Sequence, residues 1–206
     1  MATPRATRRI EFWFDFGSNY SYLAMMRIER LSASAGVQVE LRPFLLGPIF
    51  KSFGWDTSPF VLQKLKGEYT WRDMERQCEK YGLKWQRPTM FPRRALLPAR
   101  LAVIAAGEPW LFEFCRRIMQ RNFGRDEDID NVAVVAEVLQ QLGQMPDLWI
   151  AMANSHQAKS LLRTQTEEAA QRGIFGAPTF FVHDEMYWGN DRLDDAIASI
   201  TSPKPA

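Results

Sequence analysis

The sequence predicts an α/β fold in which a small sheet is split by a helical insertion, and three stretches of chain predict it. Residues 11–45 read as a β-α-β unit, and residues 179–200 read as a hairpin followed by a helix. Between them, residues 62–172 carry helical apolar spacing with little strand signal. Neither end could build a sheet core alone, so the two ends are expected to share one sheet. The expected division is 1–47 with 174–202 as a discontinuous sheet domain, 48–173 as an α-helical insertion domain, and 203–206 as a tail.

Glu11 to Phe16 alternates polar and aromatic positions, with Phe12, Phe14 and Phe16 on one face, as a strand does. Gly17-Ser18-Asn19 breaks the alternation. From Tyr20 the spacing becomes helical, with Tyr20, Leu23, Ala24, Ile28 and Leu31 forming a stripe that Gly36 ends. Val37 to Leu45 alternates again. A strand, a helix and a second strand imply a right-handed crossover and parallel pairing. Helices are expected over 62–81, 96–106, 109–123, 131–142 and 155–172. The fourth is the clearest, with Asp130 or Asn131 as its start, Val134, Val135, Val138, Leu139 and Leu142 as its buried face, and Gly143 as its stop. Pro88, Pro92 and Pro98 mark 87–98 as a loop or broken turn. Thr179 to Val182, a turn at His183-Asp184-Glu185, and Met186 to Trp188 read as a hairpin, after which Asp191 can cap a last helix.

The 206-residue chain is long enough to bury roughly 70% of its unfolded surface, so it needs no covalent staple. A net charge of +2 supplies no field for steering nucleic acid. No apolar run approaches the ~18 residues of a membrane span. Residues 1–9 carry three arginines without the apolar core of a secretory signal, and read as a frayed basic end of a cytoplasmic protein. Cys78 and Cys115 stand alone in helical segments and there are two histidines, so neither a metal cluster nor a disulfide framework is expected.

Ser18 sits where the first strand passes to the first helix. A helix start offers unpaired N–H groups and partial positive charge, which favour an anion such as a thiolate. Serine is equally a preferred N-cap, a role worth ~1 kcal/mol without any function. Ser21 gives an S-x-x-S spacing at this junction, and Phe175-Gly176-Ala177-Pro178-Thr179 places a proline just before the hairpin.

These pieces make the chain resemble the 2-hydroxychromene-2-carboxylate isomerases, within the DsbA-like thioredoxin folds that also contain the kappa-class glutathione transferases. The matching segments are 14–23 around Ser18, 42–51 (RPFLLGPIFK), 66–69 (KGEY), 175–178 (FGAP) and 188–193 (WGNDRL), in the family's order across nearly the whole chain. The resemblance implies a thioredoxin-like fold and bound glutathione as cofactor, with Ser18 as the catalytic serine hydrogen-bonding its sulfur. It also implies that Ala177, beside Pro178, pairs through its backbone with the cysteinyl part of the tripeptide. Asp191, next to Asn190, would take the γ-glutamyl ammonium, and Lys66 a carboxylate. Read without the family, Asp191 is a plain N-cap and Lys66 a solvated charge. Two departures stand out: Asn19 replaces the family's usual proline, and Asp56 lies in the loop where relatives place a cofactor asparagine.

The activity implied is glutathione-dependent interconversion of 2-hydroxychromene-2-carboxylate and trans-o-hydroxybenzylidenepyruvate, or a related aromatic-degradation intermediate. The partner is then a small aromatic carboxylate; relatives are often homodimers. Trp13, Phe44, Phe53, Trp55, Phe60 and Trp85 are candidates for an apolar wall or for core. Arg93 and Arg94 are candidates for meeting a substrate carboxylate, or simply a solvated pair. A kappa-type transferase or peroxidase, and a non-catalytic thioredoxin-like binding module, remain open alternatives.

Overall fold

The computed structural model describes residues 8–201. The basic end expected over 1–9 and the tail 203–206 lie outside those residues, except for Arg8 and Arg9. Strand β1 (Arg9–Phe14) runs parallel to β2 (Gln38–Pro43), joined by helix α1 (Asn19–Ala35). Gly36 ends α1 in the left-handed region at φ 63°, where glycine carries no Cβ penalty. Strands β3 (Thr179–Val182) and β4 (Glu185–Trp188) form an antiparallel hairpin, and β3 pairs antiparallel with β1. The sheet order is β2-β1-β3-β4, so the first and last segments of the chain build one sheet.

Both faces of that sheet are covered. Phe12, Phe14 and Phe180 pack on one face into a core that continues through the helices to Phe114, Phe123, Val138 and Ile197. Trp13, Phe44 and Phe181 pack on the other face with Ala169 and Ile174. Trp13 and Phe44 are therefore core, not pocket wall. Phe16, expected in the strand, lies in the following loop and packs edge-on against Phe14 at 5.2 Å.

Between β2 and β3 run α2 (Leu46–Ser52), α3 (Pro59–Leu62), α4 (Lys64–Tyr81), α5 (Leu96–Ile104), α6 (Leu111–Arg125), α7 (Val132–Gln141), α8 (Pro146–Asn154) and α9 (His156–Gln171). The helix expected over 62–81 is α4, which begins two residues later, and Leu62 instead closes the separate short α3. Gly67 makes the close approach between them possible, since a Cβ there would sit 2.1 Å from the Phe60 carbonyl oxygen. Helices α2 and α8 escaped the sequence reading because each is short. Proline-led starts do carry a signal at Pro146 with Asp147 behind it. Asn131 and Ser155 cap α7 and α9, accepting from the Ala133 and Ala158 N–H groups. Pro98 stands in the first turn of α5, not in the loop. The hairpin turn is His183-Asp184, with Glu185 already in β4.

Asp191 does not cap the last helix. It lies inside a 3-10 turn, Asn190–Arg192, that leads directly into α10 (Leu193–Thr201), and no side chain caps that turn. The loop before α5 is held from behind by Arg93. Its guanidinium is buried, donating to the Asn122 side-chain oxygen (3.1 Å), the Glu127 carbonyl (2.9 Å) and the Asp126 carboxylate. Asn122 in turn donates to the Phe16 carbonyl at 3.1 Å. Arg93 is therefore structural and is neither solvated nor aimed at a substrate.

The Asp126 carboxyl is held below its ordinary range, first by the Thr89 N–H and then by Arg93. A carboxylate with a depressed folded pKa contributes stability above its unfolded value of about 3.9, and that contribution is lost as pH falls through the folded value. Asp126→Asn should therefore be less stable than wild type at neutral pH. Denaturant titrations in buffers from neutral down to below pH ~4 should show the difference closing.

Candidate functional site

The junction between β1 and α1 is built by three residues with separate tasks. Ser18 is the N-cap of α1 (φ −85°, ψ 118°), and its Oγ accepts from the Ser21 N–H at 3.2 Å. The same hydroxyl donates to the Ala177 carbonyl at 3.0 Å, across 159 residues of chain. Asp15 accepts from the Gly17 N–H (2.7 Å) and from the Leu46 N–H (2.8 Å), so it caps α2 from another segment where Leu45 cannot. Burial pushes the Asp15 carboxyl up, against the two N–H bonds that favour its charged form. Gly17 is required by close approach, because a Cβ there would meet the Arg93 carbonyl oxygen at 2.8 Å.

The N–H groups of Asn19 and Tyr20 find no acceptor among the described residues, as expected for the first turn of a helix. Asn19 occupies the first helical position and is buried, with its amide nitrogen unpartnered. Facing this helix start is the Ala177-Pro178 bond, which is cis. Trp188 packs over Gly176, where a Cβ would sit 2.4 Å from the indole nitrogen, and against Phe175 at 4.7 Å between ring centroids.

A cavity of about 1120 Å³ opens over the junction. It brings together Ser18, Lys66, Ala177, Asn190 and Asp191; Pro178 lies behind Ala177 and accepts the Gly189 N–H at 2.9 Å. Lys66 is exposed on the first turn of α4, and Asp191 is exposed with Arg192 3.5 Å away. Asn190 is buried, and its carbonyl and side-chain oxygen both accept from the buried Arg27 guanidinium at 3.2 and 2.9 Å. Arg27 also reaches Asp194 at 2.5 Å and lies 4.3 Å from the Tyr81 ring centre. The last helix and its 3-10 turn are thereby fastened to α1.

Of the aromatic candidates, Trp55 and Phe60 line the cavity. Phe53 is exposed behind Trp55, and Trp85 stacks on Trp71 and Phe123 away from it. Arg94 is exposed in the wall, as is Asp56. Beyond Lys66, the sequence reading missed the face of α4 that completes the wall: Thr70, Asp73, Gln77 and Lys80. Its signal was a polar stripe at helical spacing that flanks the buried Trp71, Met74 and Cys78. Also missed was the pairing of Tyr20 with that stripe, the phenol donating to Asp73 at 2.8 Å.

Comparison with known proteins shows the family of the chain. The family described as a DSBA-like thioredoxin domain matches residues 9–200. A 2-hydroxychromene-2-carboxylate isomerase from Sphingobium xenophagum is 31% identical over 91% of this chain and 95% of that protein. A glutathione S-transferase kappa 1 from Rattus norvegicus is 26% identical over 92% and 89%. A solved 2-hydroxychromene-2-carboxylate isomerase superposes with a TM-score of 0.84 at 26% identity, covering 93% of this chain and 94% of the other.

No group of three or more metal-ligating side chains occurs among the described residues, and no helix there is long and apolar enough to cross a membrane. Cys78 and Cys115 lie buried in α4 and α6, and burial pushes the Cys78 thiol up to about 12 and that of Cys115 higher still. A thiol so placed is a poor nucleophile. Native protein should leave both unmodified by an aromatic disulfide reagent at neutral pH, with two thiols titrating only after denaturation.

Proposed function

This chain belongs to the DSBA-like thioredoxin family, among relatives of the 2-hydroxychromene-2-carboxylate isomerases, and on that premise we propose that it is a glutathione-dependent isomerase. Its substrate pair is 2-hydroxychromene-2-carboxylate and trans-o-hydroxybenzylidenepyruvate, or a closely related aromatic-degradation intermediate. The observation that carries this reading is the Ser18 hydroxyl, placed at an open helix start and bonded to the carbonyl before Pro178.

The residues present fit glutathione, whose charges are one ammonium and two carboxylates. Asp191 suits the ammonium, Lys66 suits a carboxylate, and the Ala177 N–H has no acceptor among the described residues. Asn190, fixed by Arg27, holds the turn that presents Asp191. Asp56 stands in the cavity wall as the acidic departure, far less suited to a carboxylate than the asparagine of relatives. Bound there, glutathione would supply a thiolate capable of reversible addition to the conjugated double bond, the chemistry that permits rotation to the other isomer.

The chain's part is to keep that sulfur ionised. A free thiol near pKa ~8.5 is only a few per cent ionised at pH 7, and lowering it by ~2 units takes ~2.7 kcal/mol. A hydroxyl bond to a charged group contributes ~1.5–3 kcal/mol. The helix start adds about 0.3–1 kcal/mol. For this, the Ser18 hydroxyl, which donates to the Ala177 carbonyl in this structure, would turn its proton to the sulfur while Oγ keeps the Ser21 N–H. Those two contributions are sufficient without a second base. Serine rather than cysteine here also prevents a mixed disulfide with the cofactor.

The purified protein should convert 2-hydroxychromene-2-carboxylate only when glutathione is present, and Ser18→Ala should lose most of that rate. Rapid conjugation of glutathione to chlorodinitrobenzene without isomerisation would move the assignment to the kappa-type transferase reaction. Absence of glutathione binding by calorimetry, in wild type and variant alike, would leave only a binding module.

A further inference from the structure

Thiolate addition accounts for the double bond and leaves another part of the proposed reaction without a catalyst. The cyclic substrate is a hemiketal: one carbon carries a hydroxyl, a carboxylate and the ring oxygen. Before its double bond can rotate, the bond from that carbon to the ring oxygen must break. The departing phenoxide needs a proton and the hemiketal hydroxyl must lose one, neither of which the sulfur can supply.

The cavity wall contains a directly bonded phenol–carboxylate pair, beginning two residues beyond Ser18. Tyr20 and Asp73 both line the cavity, from the first turn of α1 and the middle of α4. The Tyr20 hydroxyl donates to one Asp73 oxygen at 2.8 Å, and Gln77 approaches the other at 3.4 Å. The Tyr20 ring is fixed edge-on to Phe60 at 6.1 Å between centroids. Three other ionisable groups of the wall serve elsewhere: Asp15 caps α2, Arg93 anchors its loop, and Asp194 is bound by Arg27.

We propose that Tyr20 and Asp73 are the acid and base that open and close the hemiketal ring, an inference that rests on the isomerase reading above. In the opening direction the carbon–ring-oxygen bond breaks and its electron pair goes to the oxygen, which takes the Tyr20 phenolic proton. The hemiketal hydroxyl gives its proton to the Asp73 carboxylate as the ketone forms. Asp73 then returns that proton to the Tyr20 oxygen, so the pair ends as it began and no external oxidant or reductant is consumed.

Two substrates separate this step from the isomerisation. The first is 2-hydroxychromene-2-carboxylate; the second is cis-benzylidenepyruvate, which lacks the ortho hydroxyl and cannot cyclise. With glutathione present, Tyr20→Phe should slow conversion of the cyclic substrate by roughly a hundredfold or more. It should leave cis–trans conversion of the acyclic one, and glutathione binding by calorimetry, as in wild type. Asp73→Asn, which keeps the contact with Tyr20 and removes the base, should show the same split. Equal loss on both substrates, or loss on neither, overturns the assignment while leaving the isomerase reading intact. A wild-type protein inert toward both substrates overturns the isomerase reading and this inference with it.

Discussion

One hydrogen bond joins the two ends of this chain at the place where chemistry would occur. The Ser18 hydroxyl donates to the carbonyl of Ala177 while accepting from the first turn of α1. A helix start normally solves its own problem, by a cap or by water, and leaves nothing over. Here Ser18 satisfies the N–H of Ser21, and the N–H groups of Asn19 and Tyr20 remain open under a cavity. The cap is structural and the open donors are the usable part. A ligand anion gains a site whose positive potential was created by the fold, not by a cation, so a buried counter-charge is not needed.

The rest of the molecule keeps that junction in register. Asp15 ties the loop to the start of α2, and Gly17 lets the Arg93 carbonyl come within a distance no side chain would allow. Arg93 and Asn122 connect the same loop to α6. Arg27, in the middle of α1, grips the turn that holds Asn190 and Asp191. Arg93, Asn122 and Arg27 are buried polar side chains with their partners satisfied, which is the condition under which such groups fix one geometry and do not weaken a core. The helices between β2 and β3 therefore do more than cover the sheet, since α4 and the loop before α5 complete the cavity wall.

The β-α-β start, the terminal hairpin and most long helices were legible, because strand alternation and helical spacing act locally and Gly36 and Gly143 mark their ends. The cap at Ser18 was legible for the same reason. Short elements were not: α2 begins on Leu46, and the group that makes its first N–H acceptable, Asp15, comes from a distant segment. Arg93 shows the other limit. Its sequence neighbourhood, a proline-broken loop, reads as solvent-exposed, and only the folded chain brings Asn122, Asp126 and Glu127 around it. Asp191 looked like a cap because aspartate before an apolar run usually is one, yet the backbone turns into the last helix without it. The pairing of Tyr20 with Asp73 joins α1 to α4 and has no local signature at all.

The central claim is that the start of α1, with Ser18, stabilises a bound thiolate. It is tested most directly by titrating the ultraviolet thiolate absorbance of protein-bound glutathione against pH, in wild type and in Ser18→Ala. The account predicts a thiol pKa about 2 units below that of free glutathione in wild type, rising by at least ~1 unit when the hydroxyl is removed. A bound thiol with the pKa of the free tripeptide, or one indifferent to Ser18→Ala, would contradict it.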